Sequence, residues 1–256
     1  MVNIIIFGGS GFIGTNIVKN LYSWGGRGEI TVICQNIEKA KQKFQEITHS
    51  NEGGDERGNE EGNQGGDGIS ILTGDILDED FIKQQLQGKD VIINCIGKLF
   101  EKTPQDFQKF HTDFPSLLAI HTTDAQHLIH ISALGVEHCD DVSHYAKTKL
   151  MGEEEIITHT QNYTIFRPSI VFGRGDNFLN QFARMAKISP ILPLIGGGAT
   201  KFQPVHVDDL VEAICKVITD NAQKMEESEL PELPEFVEKG VKSNKDDKAG
   251  GSKAKG

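Results

Sequence analysis

The feature that most restricts the fold of this chain is a regular alternation of short apolar runs with amphipathic stretches. The apolar runs cover residues 3–7, 30–34, 69–72, 91–96, 127–131 and 163–166. Between them, apolar side chains recur at intervals of three and four residues, as at Phe107, Phe110 and Phe114. Strands that alternate with helices form a parallel sheet covered on both faces. The sequence therefore predicts an α/β fold with a doubly wound parallel sheet.

A glycine-rich turn follows the first apolar run and opens the first predicted helix. It reads Gly8, Gly9, Ser10, Gly11, Phe12, Ile13, Gly14. Gly8 permits a tight turn, Gly11 lets the backbone approach a pyrophosphate, and Gly14 lets the helix pack close to the sheet. The N-terminus of the helix favours the negative charge of such a group. Because the turn lies between a strand and a helix, we expect a Rossmann-like dinucleotide-binding domain.

Four later stretches, with the glycine turn, resemble the extended and atypical short-chain dehydrogenases/reductases, which are NAD-dependent epimerase/dehydratase-like proteins. The stretches are residues 74–78, 94–97, 145–149 and 167–173. The resemblance implies that Asp75 binds the adenine amino group, that 94–97 contact a ribose, and that the last stretch lies against the nicotinamide. The residues expected at the cofactor are Gly8, Ser10, Gly11, Phe12, Ile13, Gly14, Gln35, Asp75, Ile76, Cys95, Ile96, Gly97, Tyr145, Lys149, Pro168, Ser169 and Ile170.

The same resemblance implies a catalytic group at Tyr145, Lys149 and Ser132. In the family the tyrosine is the acid/base, while the lysine holds the ribose hydroxyls and lowers the pKa of the phenol. Tyr145 and Lys149 are four residues apart, which places them on one helix face. Catalytic relatives carry a Ser or Thr hydroxyl where this chain has Leu134. Ser132 is the alternative source of this hydroxyl. The sequence is therefore compatible both with catalysis and with cofactor binding without turnover.

Three stretches resemble more closely the nucleotide-binding accessory subunits of respiratory complex I and their bacterial homologues. They are residues 7–14, 171–180 and 202–209. The resemblance implies a structural NADP(H) and an accessory or assembly role at the complex, peripheral at the inner membrane and on the matrix side in a mitochondrion. The alternative is an active NAD(P)-dependent reductase, dehydrogenase or nucleotide-sugar epimerase that uses Tyr145 and Lys149. A third hypothesis is a regulator that signals to a partner protein whether NADP(H) is bound.

The end of the second apolar run bears on the choice of dinucleotide. An NAD-binding protein usually places Asp or Glu there to accept a hydrogen bond from the ribose 2′-hydroxyl. This chain has Cys34, Gln35 and Asn36 instead, and Lys39 or Lys41 follows on the next helix. The sequence therefore favours NADP(H) over NAD(H).

Composition excludes several classes of function. The formal net charge is −11, which argues against a nucleic-acid partner. No apolar run approaches the ~20 residues of a membrane-spanning helix. The four cysteines are scattered without a Cys-x-x-Cys pair, which indicates free thiols.

His127 and His130 are expected on opposite faces of a strand, so no metal site is predicted. With the first strand directly after Met1, we expect a cytoplasmic protein.

Two segments lack the apolar residues that a core needs. Residues 51–68 are almost entirely Gly, Glu, Asp and Asn, and we expect a disordered insertion. Residues 221–256 run from an acidic to a Lys-rich composition, and we expect a disordered tail. The prediction is therefore one NAD(P)-binding domain over residues 1–220 with a short C-terminal extension.

Overall fold

A six-stranded parallel sheet forms the centre of the protein. The computed structural model describes residues 2–23, 28–49, 68–138, 143–176, 178–188 and 201–229, so residues 51–67 of the predicted insertion and 230–256 of the predicted tail lie outside the described residues. The strands are β1 (Ile4–Phe7), β2 (Ile30–Ile33), β3 (Ile69–Leu72), β4 (Val91–Asn94), β5 (His127–Ile131) and β6 (Tyr163–Phe166). Three of them have the bounds of the apolar runs that predicted them.

The strand order is β3-β2-β1-β4-β5-β6, and each neighbouring pair is parallel. The chain therefore winds outward from β1 in one direction and then from β4 in the other. In a sheet of this kind the crevice for a ligand opens above the carboxyl ends of the strands where the winding reverses, here between β1 and β4.

Helices cover both faces of the sheet. They are α1 (Phe12–Ser23), α2 (Ile37–His49), α3 (Glu79–Leu86), α4 (Phe114–His121), α5 (His144–His159), α6 (Leu179–Ile188) and α7 (Val207–Glu229). Side chains of β1 alternate between two apolar clusters: Ile4 and Ile6 pack toward α1 and α7, and Ile5 and Phe7 pack toward α3, α4 and α5. The doubly wound α/β fold predicted from the sequence is confirmed.

A π-helical segment, Gln108–Asp113, leads directly into α4. It brings the backbone of His111 against Gly152 of α5, so close that a methyl group at Gly152 would collide with the carbonyl oxygen of His111. The sequence predicted a helix here but not this change of helical geometry. The segment fixes α5 close to the loop that follows β4.

The C-terminal part adds a second, small sheet and completes the core. Strands β7 (Val171–Phe172) and β8 (Val205–His206) pair in parallel, which was not predicted. Helix α7 then packs on α1 through Leu210, Ile214 and other apolar residues at intervals of three and four. The helix continues to Glu229, beyond residue 220, where the sequence prediction ends the folded domain. None of the described helices has the length and apolarity needed to cross a membrane.

Candidate functional site

A cleft of about 600 Å³ opens at the carboxyl edge of the sheet, at the reversal of strand order. Its walls come from the glycine turn after β1 and from the segments that follow β2, β3 and β4. They include nine of the expected cofactor residues, namely Gly8, Ser10, Gly11, Gln35, Asp75, Ile76, Cys95, Ile96 and Gly97. The topology therefore brings together residues that are far apart in the sequence.

The glycine turn has the close packing that its pattern predicts. Gly8 has a φ of 77°, and its carbonyl oxygen accepts a hydrogen bond from the N–H of Gly11 at 2.9 Å. A methyl group at Gly14 would lie 2.5 Å from that same oxygen. The side chains of Phe12 and Ile13 do not line the cleft and pack on the apolar core instead. Only their backbone N–H groups, in the first turn of α1, are suited to an anion.

The cleft wall after β2 carries lysine side chains. Asn36 accepts a hydrogen bond from the N–H of Lys39 at 2.9 Å, which orders the start of α2. Lys39 and Lys43 line the cleft, and Nζ of Lys43 donates to the carbonyl oxygen of Ser10 at 2.7 Å. The sequence suggested Lys39 or Lys41, but Lys41 is not part of the wall. Lys43 was missed, although the helical spacing of four from Lys39 places both on one face.

The segment after β3 presents a carboxylate. One oxygen of Asp75 accepts a hydrogen bond from the N–H of Leu77 at 3.0 Å, which fixes the turn. Asp78 then caps α3 by accepting from the N–H groups of Asp80 and Phe81. Asp75 and Ile76 consequently form a rigid part of the cleft wall, where the family resemblance places the adenine.

A buried hydrogen-bond network supports the segment after β4. Oδ1 of the buried Asn94 accepts from the N–H of Ile96 at 2.9 Å, and its Nδ2 lies 3.1 Å from Nδ1 of His130. Nδ2 of Asn94 is a donor, so Nδ1 of His130 accepts and the ring proton of His130 is on Nε2. This Nε2 has no hydrogen-bond partner within the described part of the chain. Burial raises the pKa of the Cys95 thiol to about 12. Cys95 is therefore a protonated wall residue.

Lys149 is a buried cation at the edge of the cleft. Its side chain is 5% exposed, and Nζ donates to the carbonyl oxygen of Ile131 at 3.1 Å. A methyl group at Gly97, which lines the cleft, would lie 3.5 Å from Nζ, so the ammonium is next to this part of the cleft wall. Burial lowers the pKa of Lys149 to about 8, an effect that the charge of Glu153 opposes. The group is therefore mostly protonated at pH 7 and retains further N–H donors.

Tyr145 is half-buried against two aromatic rings. Its ring centroid lies 5.2 Å from that of His111 and 5.6 Å from that of Phe107, edge to face in both cases. Burial raises the pKa of the phenol. This direction is opposite to the one that the resemblance implies, because burial removes the phenolate from water. Among the described residues no hydrogen bond links the hydroxyl to Lys149 or Ser132.

The third expected catalytic residue is poorly placed to act. Ser132 is 5% exposed, and its Oγ has no hydrogen-bond partner among the residues that the structure describes. Its backbone N–H donates to Phe166 O at 2.7 Å, at the end of the strand pair. Leu134, at the position where catalytic relatives carry a hydroxyl, is half exposed. The accessible side chain at this position is therefore apolar.

His111 is a site residue that the sequence reasoning missed. It is 1% exposed and stacks on Phe107 with a centroid distance of 4.9 Å. Nε2 accepts from the N–H of Lys98 at 3.0 Å, and Nδ1 lies 3.1 Å from Oγ1 of Thr148. A histidine three residues before a phenylalanine in an amphipathic stretch carries no signal of this role. Only the π-helical segment brings it beneath Tyr145.

The stretch after β6 lies at a second cavity of about 340 Å³. Pro168 and Ser169 line this cavity and not the main cleft, and the carbonyl oxygen of Ile170 accepts from Val205 N at 2.9 Å. The carboxylate of the fully buried Glu153 binds the side chain of Arg167 through two of its guanidinium nitrogens. Neither Arg167 nor Glu153 was predicted to be functional.

The histidines of β5 have separate partners. Nε2 of His127 lies 2.9 Å from Oγ1 of Thr164, whereas His130 bonds Asn94. Within the described ranges no three His, Cys, Asp or Glu side chains converge as metal ligands. Cys34, Cys95 and Cys215 are free thiols, and Cys139 lies outside the described residues.

Comparisons with known proteins agree with this geometry. Residues 4–229 match the model of the NAD dependent epimerase/dehydratase family. The chain is 28% identical over 223 residues to the mitochondrial NADH dehydrogenase [ubiquinone] 1 alpha subcomplex subunit 9 of Arabidopsis thaliana, with 86% of this chain and 51% of the plant protein covered. The protein of the same name from Mus musculus is 30% identical over 218 residues, with coverage of 84% and 52%.

The chain thus spans about half the length of these relatives. Among solved structures, dTDP-glucose 4,6-dehydratase from Bacillus anthracis in complex with NAD has a TM-score of 0.66 at 17% identity. That alignment covers 85% of this chain and 71% of the dehydratase. At this identity the likeness is one of fold.

Proposed function

The chain belongs to the NAD-dependent epimerase/dehydratase family, and from that membership we propose that its cleft binds a nicotinamide dinucleotide as a structural ligand. We further propose that the ligand is NADP(H) in preference to NAD(H), and that the protein is an accessory or assembly protein of respiratory complex I. The observation that carries the proposal is the contrast between Lys149, a buried cation at the cleft, and Leu134, an apolar side chain at the catalytic hydroxyl position.

The residues of the cleft and of its edge offer a partner to each part of a dinucleotide. The pyrophosphate fits the backbone N–H groups of the glycine turn at the N-terminus of α1, where the helix dipole favours negative charge. Asp75 offers a carboxylate to the adenine amino group. Lys149, with Nζ donors not used by Ile131, is suited to the ribose hydroxyls beside the nicotinamide. A bound nicotinamide ring would supply hydride chemistry, and the residues above bind and orient it.

The preference for NADP(H) rests on charge at the end of β2. Cys34, Gln35 and Asn36 provide no carboxylate that would repel a 2′-phosphate. Lys39 and Lys43 bring two positive charges to the same wall, and the hydrogen bond from Lys43 to Ser10 holds one of them near the glycine turn. A 2′-phosphate there would gain charge-assisted hydrogen bonds.

A structural role for the ligand is supported by the catalytic residues. Transition-state stabilisation in carbonyl chemistry is weaker without a hydroxyl donor beside the tyrosine. Leu134 provides none, Ser132 is buried, and burial raises the pKa of the Tyr145 phenol. All three features weaken acid/base catalysis and leave dinucleotide binding intact.

The similarity to mitochondrial subunits named for NADH dehydrogenase supports the proposed partner. With complex I as partner, the protein would be peripheral at the inner membrane, on the matrix side in a mitochondrion or the cytoplasmic side in a bacterium. Co-purification with complex I from the native source tests this part.

A second function, an active NAD(P)-dependent reductase, dehydrogenase or epimerase, is favoured by one observation. Tyr145 and Lys149 are both present on α5 at the spacing that the family uses. If this function is correct, Tyr145→Phe abolishes turnover and leaves dinucleotide affinity unchanged.

Native mass spectrometry of the protein from its own source separates the two functions. We expect one dinucleotide per chain, released on denaturation and identified as NADP(H), with no oxidation or reduction when carbonyl compounds are added. Rapid turnover with ordinary kinetics that is lost in Tyr145→Phe would contradict the structural role. A protein without any bound dinucleotide, and without affinity for added NADP(H), would contradict the binding proposal itself.

A further inference from the structure

A charged pair joins helix α5 to the end of β6. Nε of Arg167 donates to both carboxylate oxygens of Glu153, at 3.1 and 3.0 Å, and Nη2 donates to Oε2 at 2.5 Å. Glu153 is 0% exposed, whereas the Arg167 side chain is 38% exposed. Since a planar guanidinium engages a carboxylate in a fixed orientation, this contact sets a distance and an angle between two elements.

The two ends of the pair lie next to cofactor-facing residues. Tyr145, Lys149 and Glu153 follow one another at intervals of four residues, so they share one face of α5. Arg167 immediately precedes residues 168–170, which the family resemblance places against the nicotinamide. The pair therefore links the helix that carries Lys149 with residues 168–170, of which Pro168 and Ser169 line the second cavity.

Two further contacts tie the loop after β5 into the same assembly. Nη1 of Arg167 lies 4.0 Å from a carboxylate oxygen of Glu137, which belongs to the 3₁₀ helix Val136–His138. The N–H of Leu134 donates to the carbonyl oxygen of Pro168 at 2.9 Å. Arg167 thus contacts one side chain of α5 and one of the 3₁₀ helix, and it is not part of the wall at the glycine turn, β2 or β3.

We propose that Arg167 is a positioning residue for the nicotinamide half of the ligand, because its contact with Glu153 holds Lys149 and residues 168–170 at the spacing that this half requires. The inference rests on the proposed binding of a dinucleotide. It adds that the two halves of the cleft are built independently. The adenine half depends on β1, β2 and β3, while the nicotinamide half depends on the Arg167–Glu153 pair.

A purely structural role predicts something different. Loss of the pair would then lower the stability of the whole domain and weaken both halves of the ligand alike. A positioning role predicts a selective loss, in which the complete dinucleotide is affected and its adenine half is not. The ratio of the two affinities separates these cases.

The experiment is isothermal titration calorimetry of the full chain with NADPH and with 2′,5′-ADP, which represents the adenine half. In Arg167→Lys, the positive charge beside Glu153 is kept and the planar two-point contact is lost. We expect about tenfold weaker binding of NADPH, with 2′,5′-ADP unchanged within about twofold. Arg184→Lys is the matched control, since Arg184 is exposed and donates to Asn180 O within α6; we expect both affinities to stay at the wild-type value.

A double variant guards against misfolding. Arg167→Met with Glu153→Met replaces the pair by apolar side chains, so that neither member of the pair is left as an unpaired charge. We expect it to keep the wild-type affinity for 2′,5′-ADP and to lose NADPH affinity as Arg167→Lys does. Equal losses for both ligands, or wild-type NADPH affinity in either variant, would overturn the inference. Wild-type protein that binds neither ligand would instead overturn the proposed function.

Discussion

The backbone N–H of Lys98 donates a 3.0 Å hydrogen bond to Nε2 of His111, which connects the segment after β4 to the π-helical segment. Because Nε2 accepts, the imidazole is neutral and carries its proton on Nδ1, 3.1 Å from Oγ1 of Thr148. Burial and nearby Lys149 lower the pKa of His111 to about 4. Both hydrogen bonds are therefore formed at neutral pH. They link Lys98 of the cleft wall to Thr148, the residue next to Lys149.

Replacement of His111 tests the strength of this connection. In His111→Leu the N–H of Lys98 loses its acceptor and the stacking on Phe107 is lost. We expect the free energy of unfolding at pH 7 to fall by about 2–4 kcal/mol. Urea denaturation measures this free energy of unfolding. The control is His138→Leu, because the His138 side chain is 84% exposed; its stability should stay within about 0.5 kcal/mol of wild type.

The lowered pKa of His111 predicts an acid-sensitive stability. Between pH 6.5 and about 4 the unfolded chain binds a proton at this residue that the folded chain does not. The free energy of unfolding therefore falls as the pH falls through this window, by up to about 3 kcal/mol from His111. His130, whose pKa burial also lowers, adds in the same direction.

Denaturation of wild type and His111→Leu across this pH range separates the contribution of His111. The stability difference between the two proteins should shrink toward pH 4. A difference that is constant across the window would mean that His111 is not held in its neutral form.

Lys149 should stabilise the complex and destabilise the ligand-free fold. Burial lowers its pKa to about 8, so below that pH the folded protein bears the cost of a desolvated ammonium group. We expect Lys149→Met to raise the free energy of unfolding of the ligand-free protein at pH 7 by about 1–2 kcal/mol. The same change should weaken NADPH binding about tenfold or more.

Lys187→Met, an exposed position on α6, serves as the control and should alter neither quantity appreciably. A Lys149→Met protein that is less stable than wild type would contradict the account of Lys149 as a residue kept for its ligand. So would unchanged affinity for NADPH.

The fold could be predicted from the sequence because four of its strands, β1, β2, β4 and β5, are fully buried. The run Ile4–Phe7 is continuously apolar, and three consecutive apolar residues begin β4, which is typical of strands covered on both faces. The glycine turn was predictable for a similar reason, since close packing at Gly14 excludes any side chain. Both signals are local in the sequence.

The remaining part of the site depends on contacts that have no local signal. His111 becomes important only because a π-helical segment turns it under Tyr145, and Glu153 only because Arg167 reaches it from β6. The sheet β7–β8 has two residues in each strand, too few for a period to be recognised. Such features follow from tertiary packing and not from propensity.

Selectivity for the 2′-phosphate should depend on two lysines of α2. Lys39 and Lys43 line the cleft, and Lys41 on the same helix does not. We expect Lys39→Met with Lys43→Met to lower the affinity for NADPH about tenfold or more while that for NADH changes about twofold at most. Lys41→Met is the matched control. Competition titrations with both dinucleotides measure the ratio, and equal losses for NADPH and NADH would argue against a 2′-phosphate site.

The central claim is that the cleft above β1 and β4 holds a nicotinamide dinucleotide, and calorimetric titration of the purified chain with NADPH tests it most directly. The account predicts one site per chain, and it predicts that Gly97→Ala, which places a methyl group 3.5 Å from Nζ of Lys149, weakens binding without unfolding the protein. No detectable heat from NADPH or NADH with folded wild-type protein would contradict the account. Binding that is unchanged in Gly97→Ala would place the ligand away from Lys149.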